Sequence, residues 1–179
     1  SANMHFVYQE TPKGIADTIK LSQRIVGDND FAVALPDLPT ISRVSILKQM
    51  NRAYLNSHLV SFSKFPNGSR NLYSECLLRE RKKNISEIVH FCPKKNSPHH
   101  MSIDLRMSGR YIFSKDVWKI IDSVFKTEKD EYTDIDLLKL AAKNKQKIYA
   151  YKIIGRTYDT GTPENYVRAN TAFFKRYSQ

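Results

Sequence analysis

The most constraining feature of the sequence is an uninterrupted apolar run at residues 31–35 that ends directly at Pro36-Asp37. A turn-forming segment, residues 27–30, precedes it, so residues that break regular structure bound the run on both sides. A short run without polar alternation is typical of a strand buried on both faces, as in a parallel sheet. The chain is therefore expected to fold around at least one such strand, with an aspartate at its carboxyl end.

Helix-like and strand-like segments alternate around this run. This order predicts an α/β fold with an open, mixed and mostly parallel sheet flanked by helices. Two further strand-like segments, 72–78 and 85–91, are joined by a charged connection and predict a hairpin beside the main sheet. The other predicted strands are 5–8, 59–65, 107–113 and 147–154. The predicted helices are 15–25, 41–54, 115–125 and 133–143, with Ser42 as the cap of the second. A last helix is predicted with Thr162 as its cap and Pro163 at its first position.

The chain's length and composition fit one domain. It has 179 residues, 41% of them hydrophobic, which is enough for a single core spanning residues 4–179. Residues 1–3, ahead of Met4, are interpreted as a cloning scar. We expect a cytoplasmic protein with no membrane association, because no apolar run reaches the roughly 18–20 residues of a membrane span and no signal-peptide pattern is present.

The net charge of +11 favours polyanionic partners such as nucleotides, pyrophosphate or nucleic acid. A solvated, lysine-rich surface is the alternative interpretation. The basic runs at 79–83 and Lys94-Lys95 do not line one helix face and are not interleaved with stacking aromatics, which disfavours nucleic acid. The two cysteines, Cys76 and Cys92, predict neither a disulfide framework nor, with the nearby histidines, a zinc site, because regular ligand spacing is absent.

Three segments are candidates for chemistry, because ligands of open α/β sheets bind beyond the carboxyl ends of strands. Residues 9–14 join a predicted strand to a helix start, where a glycine and free N–H groups can approach a ligand. Asp37 follows the buried run, and residues 158–163 carry Asp159 just before the last helix. Taken singly, each segment could equally be an ordinary turn.

Four motifs occur together and in a characteristic order. The chain resembles the sugar-1-phosphate nucleotidyltransferases, most closely the bacterial UTP:glucose-1-phosphate uridylyltransferases, and the resemblance spans nearly all residues from His5 to Phe174. The segment 158–163 followed by Tyr166 is the most specific of the four. They are Gln9 with Pro12-Lys13-Gly14-Ile15, Val26-Gly27-Asp28 with residues 31–37, Ser108-Gly109-Arg110-Tyr111, and residues 158–166.

The resemblance implies an Mg²⁺-dependent transfer of UMP from UTP to a sugar 1-phosphate, with UTP or UDP-glucose as ligand. Asp37 and Asp159 correspond to the two aspartates that hold the metal and act in catalysis, and Gln9 and Gly14 would face the nucleotide. Positioning and charge neutralisation supply catalysis in such reactions, and no protein nucleophile is needed. The residues implied for sugar-phosphate binding are Tyr73, Ser74, Lys94 and Gly109.

The sequence also departs from the family pattern. Serine follows Tyr73 where the family has glycine, and Phe91-Cys92-Pro93 stands where the family has Glu-Lys-Pro, so that Lys94 or Lys95 would have to supply the phosphate contact. The family's first strand and its Gly-rich G-x-G-T-R loop have no counterpart before His5. We therefore expect a truncated or degenerate uridylyltransferase-like domain that is inactive alone and that forms a homo-oligomer or binds a partner polypeptide, because its sheet edge would otherwise be exposed.

Two alternatives stay open at this stage. In the first, a separate polypeptide carries the Gly-rich loop and completes a split enzyme. In the second, the chain is a non-enzymatic module that binds nucleotide or nucleic acid and self-associates, and binding that weakens steeply with salt would favour it. In a complete enzyme, replacing either Asp37 or Asp159 by alanine is expected to abolish turnover and leave the fold intact.

Overall fold

A computed structural model describes residues 3–64, 76–91 and 105–178. These residues form a six-stranded mixed sheet and a separate two-stranded sheet, with helices on both faces of the larger one. The helices are α1 (Ile15–Val26), α2 (Ile46–Ala53), α3 (Ile121–Val124), α4 (Asp134–Lys143) and α5 (Pro163–Tyr177). The strands are β1 (Phe31–Ala34), β2 (Thr40–Ile41), β3 (His58–Lys64), β4 (Cys76–Lys82), β5 (Ile85–Phe91), β6 (Leu105–Phe113), β7 (Ile148–Lys152) and β8 (Arg156–Thr157).

The large sheet has the strand order β1-β6-β3-β7-β5-β4, and β2 pairs with β8 in the small sheet. The predicted open mixed sheet flanked by helices is confirmed. Four of its strands (β1, β3, β7 and β4) run in one direction, but neighbouring strands are antiparallel except for β3 and β7. Most strands therefore point the same way, as predicted. The predicted parallel pairing is mostly absent, because β6 and β5 run in the opposite direction and lie between the others.

Several local predictions are confirmed. Thr162 caps α5 by accepting a hydrogen bond from the Asn165 amide at 3.3 Å, and Pro163 begins that helix. The helix predicted over 133–143 is present as α4, and a capping box of Thr133 and Asp136, which was not predicted, begins it. The hairpin of β4 and β5 forms as predicted, although it extends the edge of the main sheet through pairing with β7.

Other local predictions are wrong. Residues 5–8 form no strand, and Phe6 and Tyr8 are exposed. The second helix begins only at Ile46, because Ser45 accepts from the Lys48 amide as its cap and residues 40–41 are taken into β2. The helix expected over 115–125 is a 3₁₀ turn, Lys115–Lys119, followed by α3.

The main core lies on the sheet face that α1, α3 and α4 cover together. Strands β3 and β6 contribute Val60, Phe62, Tyr111 and Phe113 to it, all of them buried. A smaller core on the opposite face lies under α2 and includes Met50, which is fully buried. The buried hydroxyls of Ser61, Ser63 and Ser108 also belong to the β3 and β6 strands, which leaves part of the sheet polar. No helix among the described residues is both long and apolar enough to cross a membrane.

His58 is a buried titratable group at the start of β3. Its Nε2 lies 2.8 Å from Oε1 of Gln146, and the Gln146 amide nitrogen donates to the Asp116 carbonyl, so the imidazole Nε2–H donates to Gln146. Burial lowers the pKa of His58 below its ordinary value of 6.5, and the negative charges of Asp116 and Asp30 oppose that shift. The ring is therefore held neutral in the folded protein.

Stability is expected to fall in mild acid because of His58. Its pKa is lower in the folded than in the unfolded chain, so the unfolded chain takes up the proton first and stability is lost as pH falls below 6.5. The free energy of unfolding can fall by at most about 1.4 kcal/mol for each pH unit between 6.5 and the pKa of His58 in the folded protein. Urea unfolding at pH 7.5 and 5.5 should show a smaller acid loss for His58→Gln than for the wild type. The exposed His5→Gln serves as control, and equal losses in all three proteins would contradict the prediction.

Candidate functional site

The first predicted aspartate lies in the segment that follows β1. The Leu35 amide donates to the Gly109 carbonyl at 2.9 Å, which extends the pairing of β1 with β6 by one step. Beyond it the chain turns at residues 36–39 into β2, and Asp37 is exposed on this turn. The apolar run forms a strand, but the prediction of a parallel strand buried on both faces is wrong. The strand pairs antiparallel with β6, lies at one edge of the described sheet, and alternates half-buried residues with the exposed Ala32 and Ala34.

The second predicted aspartate lies beside the first because two chain segments are hydrogen-bonded together. The Tyr158 amide donates to the Pro39 carbonyl at 2.9 Å, continuing the β2–β8 pairing. The Thr160 amide and hydroxyl then both donate to the Asp37 carbonyl, at 3.0 and 2.8 Å. Asp37 and Asp159 therefore occupy adjacent segments at one rim of the molecule, although they are far apart in sequence.

Arg110 fixes the segment that carries Asp37. Its guanidinium donates to three backbone carbonyls, those of Leu35 at 2.7 Å, Gly109 at 2.9 Å and Leu38 at 3.2 Å. Burial lowers the pKa of Arg110, and the negative charge of Asp37 opposes that shift. Because arginine stays charged in proteins, Arg110 is a permanent cation beneath the turn.

Arg106 contacts the other aspartate. It lies in β6 opposite Ser63 of β3, and its side chain is 1% exposed. Its Nη1 lies 3.2 Å from Oδ2 of Asp159, while the Gly161 amide donates to Oδ1 of the same carboxylate at 3.0 Å. Sequence reasoning missed Arg106, although a charged residue between the apolar Leu105 and Met107 was a usable signal.

Gly109 lies where β6 bulges. Its φ is +67°, and a Cβ added there would lie 2.5 Å from Cδ1 of Leu38 and 3.1 Å from Cβ of Leu35. The pairing of β3 with β6 shifts register between Val60 and Phe62, opposite this point. Glycine is thus required for the close approach of the Asp37-bearing turn. Its predicted contact with the sugar phosphate stays a prediction.

The two residues predicted to face the nucleotide have local structural partners. The Gln9 side-chain amide donates to a carboxylate oxygen of Asp17 at 2.7 Å and to the Gly14 carbonyl at 3.3 Å. Gly14 precedes α1 with φ +89° and packs against the backbone of Tyr132. These contacts explain both residues without a ligand, and their nucleotide role stays a prediction. The remaining predicted residues, Tyr73, Ser74 and Lys94, lie outside the described residues, as do Cys92, His99 and His100.

A cavity of about 930 Å³ lies beside Asp159, between β7, β8 and α5. Its volume is in the range of small-molecule sites. Basic residues dominate its charged lining, so it would concentrate an anion such as a phosphate ester. The charged lining residues are Lys64, Lys152, Arg156, Arg168, Lys175 and Asp159 itself.

The carboxylates of Asp37 and Asp159 suit Mg²⁺ in residue type and in place, since Mg²⁺ commonly takes one or two carboxylates and completes its shell with water and phosphate oxygens. They do not suit it equally. Asp37 is exposed, whereas both oxygens of Asp159 already accept hydrogen bonds, from Arg106 and Gly161. Within residues 3–64, 76–91 and 105–178, no group of three or more His, Cys, Asp or Glu side chains is arranged to hold a metal.

The fold is that of a nucleotidyl transferase domain. Residues 1–176 match the family model described as nucleotidyl transferase, and the chain belongs to that family. Its relatives include the UTP–glucose-1-phosphate uridylyltransferases of Salmonella typhimurium and of Mycoplasma genitalium, both 29% identical over 91% and 94% of this chain. The chain spans 58% and 59% of the length of those two proteins.

Solved structures agree with this assignment. A UDP-glucose pyrophosphorylase solved in complex with UDP-glucose superposes with a TM-score of 0.83 at 28% identity, covering 96% of this chain and 66% of the other. A UTP-bound enzyme from Acinetobacter baumannii shares the fold, with a TM-score of 0.73 at 16% identity over 93% of this chain and 58% of the other. The sequence-based assignment to the uridylyltransferase-like family is confirmed.

Proposed function

We propose that the chain forms the sugar-side part of a uridylyltransferase that transfers UMP from UTP to a sugar 1-phosphate and releases pyrophosphate. The observation that carries this proposal is the pair of hydrogen bonds from Thr160 to the Asp37 carbonyl, because they bring both aspartates to one rim. The basic cavity beside Asp159 supports it, since both substrates and both products are phosphate esters or pyrophosphate.

The residues of the rim would act by position and charge. Arg110 holds the turn that presents Asp37, and the hydrogen bond from Gly161 orients the Asp159 carboxylate toward the start of α5. An Mg²⁺ ion held at this rim, mainly by Asp37 and with Asp159 beside it, would neutralise phosphate charge. Preorganised charge of this kind is the main catalytic contribution expected where no protein nucleophile acts.

Binding of a nucleotide sugar tests the proposal without requiring turnover. UDP-glucose is expected to bind in calorimetry and to be displaced by UDP but not by glucose. Arg168→Met removes one cation of the cavity beside Asp159 and is expected to weaken binding about tenfold, the typical effect of one charge-assisted hydrogen bond. The matched control is Arg43→Met, which removes the same charge from a different cavity. Equal affinities for the two variants would contradict the placement of the site.

Turnover depends on the exposed aspartate. In a complete enzyme, Asp37→Asn is expected to lower UDP-glucose formation at least a hundredfold, because it removes a charge from the rim and leaves a side chain of the same shape. Pyrophosphate release is the measurement. The 179-residue chain alone is expected to form no UDP-glucose, and activity comparable to that of a full-length relative would refute this expectation.

A second candidate, a composite enzyme, is favoured by the exposed edge of the sheet. Strand β1 is the edge of the sheet formed by the described residues, and its apolar residues Ala32 and Ala34 are exposed. Such an edge favours pairing with another strand. We propose that a polypeptide carrying the Gly-rich loop supplies the strand that pairs with β1. Light scattering of the purified chain should then report a monomer, whereas a stable dimer would point to a second copy of this chain instead.

A further inference from the structure

The side chain of Arg106 is buried to an extent that is unusual for arginine. It is 1% exposed although it is the second residue of β6, at the beginning of the strand. A buried guanidinium has to be compensated by a negative charge and by hydrogen bonds, because burying an unpaired ion is costly. Arg106 therefore has a defined electrostatic role in the fold.

The negative charge that compensates Arg106 includes Asp159. The ion pair joins Nη1 to Oδ2 at 3.2 Å, and the carboxylate is itself only 23% exposed. The second carboxylate oxygen accepts from the Gly161 amide at 3.0 Å. Both oxygens of Asp159 are thus oriented by donors of this chain.

A divalent cation at this rim would have to compete with the guanidinium. It would approach carboxylate oxygens that Arg106 and Gly161 already orient, and it would lie next to a second positive charge. Arginine cannot relieve that repulsion by losing a proton. Asp37 differs, because it is exposed and the backbone of its turn, not its carboxylate, carries the bonds to Arg110.

We propose that Arg106 supplies at Asp159 the positive charge that a divalent cation would otherwise supply, and that it thereby lowers the affinity of the Asp37–Asp159 rim for divalent cations. Arg106 is a positioning residue in this arrangement: it holds Asp159 in place and leaves Asp37 as the aspartate that dominates metal binding. The inference rests on the proposed function only in treating this rim as the metal-binding part of the site.

Mn²⁺ without nucleotide is the probe, and electron paramagnetic resonance of free Mn²⁺ is the measurement. Arg106→Met is expected to bind Mn²⁺ about tenfold more tightly than the wild type, because it removes a neighbouring positive charge and one of the donors to the Asp159 carboxylate. Adding Asp159→Asn to Arg106→Met should reverse the gain. Arg43→Met, which removes a charge away from the rim, should leave the affinity unchanged. Equal affinities for the wild type and Arg106→Met would overturn the proposal.

A second comparison keeps the test decisive if Arg106→Met does not fold. In the background with Arg106 present, Asp37→Asn should lower Mn²⁺ affinity more than Asp159→Asn does, by about tenfold or more. A larger loss with Asp159→Asn than with Asp37→Asn would overturn the proposal. These readouts are independent of UDP-glucose binding, so failure of the uridylyltransferase proposal and failure of the Arg106 proposal are distinguishable.

Discussion

Replacing Gly14 by alanine is expected to lower the free energy of unfolding by about 3–5 kcal/mol, a large part of the stability of a typical domain. Two effects combine. A φ of +89° is strained for any residue with a Cβ. In addition, the new Cβ would lie 2.5 Å from the Tyr132 carbonyl oxygen and 3.0 Å from its amide nitrogen, so backbone would have to move.

That movement would break specific bonds. The Tyr132 carbonyl accepts from the Ala16 amide at 3.0 Å, and the Tyr132 amide donates to the Lys13 carbonyl at 2.8 Å. These bonds attach the start of α1 to the segment before α4, beside the fully buried Ala16. Gly14→Ala thus acts on the docking of α1 against the main core.

Gly27→Ala is the matched control for this prediction. Gly27 has a similar positive φ of +65°, but the nearest atom to an added Cβ is 3.7 Å away. Its replacement isolates the backbone strain and should cost only about 1–2 kcal/mol. Urea unfolding of both variants measures the difference. Equal losses would show that the contact with Tyr132 relaxes at no cost and that strain alone makes glycine necessary.

The elements that sequence analysis located well are those fixed by local interactions. Thr162 with Pro163, and Thr133 with Asp136, act within a single helix turn, so their capping roles are readable from a few neighbouring residues. Helix periodicity located α1 and α4 for the same reason. Ser42 and Ser45 show the limit of this approach, because either could cap a helix. Residues 40–41 pair with β8, so the helix begins later and Ser45 is its cap. This pairing joins residues far apart in sequence and cannot be predicted locally.

Strand pairing explains most of what could not be predicted. The sequence shows that residues 107–113 form a strand. It does not show that this strand lies between β1 and β3 and pairs antiparallel with both of them. Residues 5–8 have a strand-like pattern and no strand partner among the described residues, and the pattern alone cannot reveal this. Register and order depend on contacts distant in sequence, where local propensity carries little information.

The candidate site was predictable in its acidic residues and not in its basic ones. Asp37 and Asp159 follow strand-like segments, and family motifs contain them. Arg106 has no motif, and its position facing Asp159 depends on how β6 lies relative to the turn after β8. The sequence alone predicted that either aspartate could be replaced without loss of the fold. The structure changes this expectation for Asp159, because Asp159 pairs with the buried Arg106, whereas Asp37 is exposed.

Asp159→Ala is expected to lower the free energy of unfolding by about 3 kcal/mol, whereas Asp37→Ala should change it by less than about 1 kcal/mol. Removing Asp159 leaves the buried Arg106 without that counter-charge, and breaking a buried pair by deleting one partner typically costs 3–5 kcal/mol. We take the lower end because Asp159 is 23% exposed and water can reach the pair. Asp37 is exposed, and the hydrogen bonds that hold its turn use backbone carbonyls.

A double-mutant cycle separates this effect from general damage to the β8–α5 turn. If loss of the ion pair is the cause, Asp159→Ala should cost clearly less in an Arg106→Met background than in the wild type, with a coupling of about 1–3 kcal/mol. Guanidinium chloride would screen the pair, so urea is the denaturant of choice. Additive losses would mean that Arg106 and Asp159 contribute independently. A loss of activity in Asp159→Ala therefore shows a catalytic role only after the folded fraction of the variant has been measured. Asp37→Ala needs this control less, because its expected loss of stability is small.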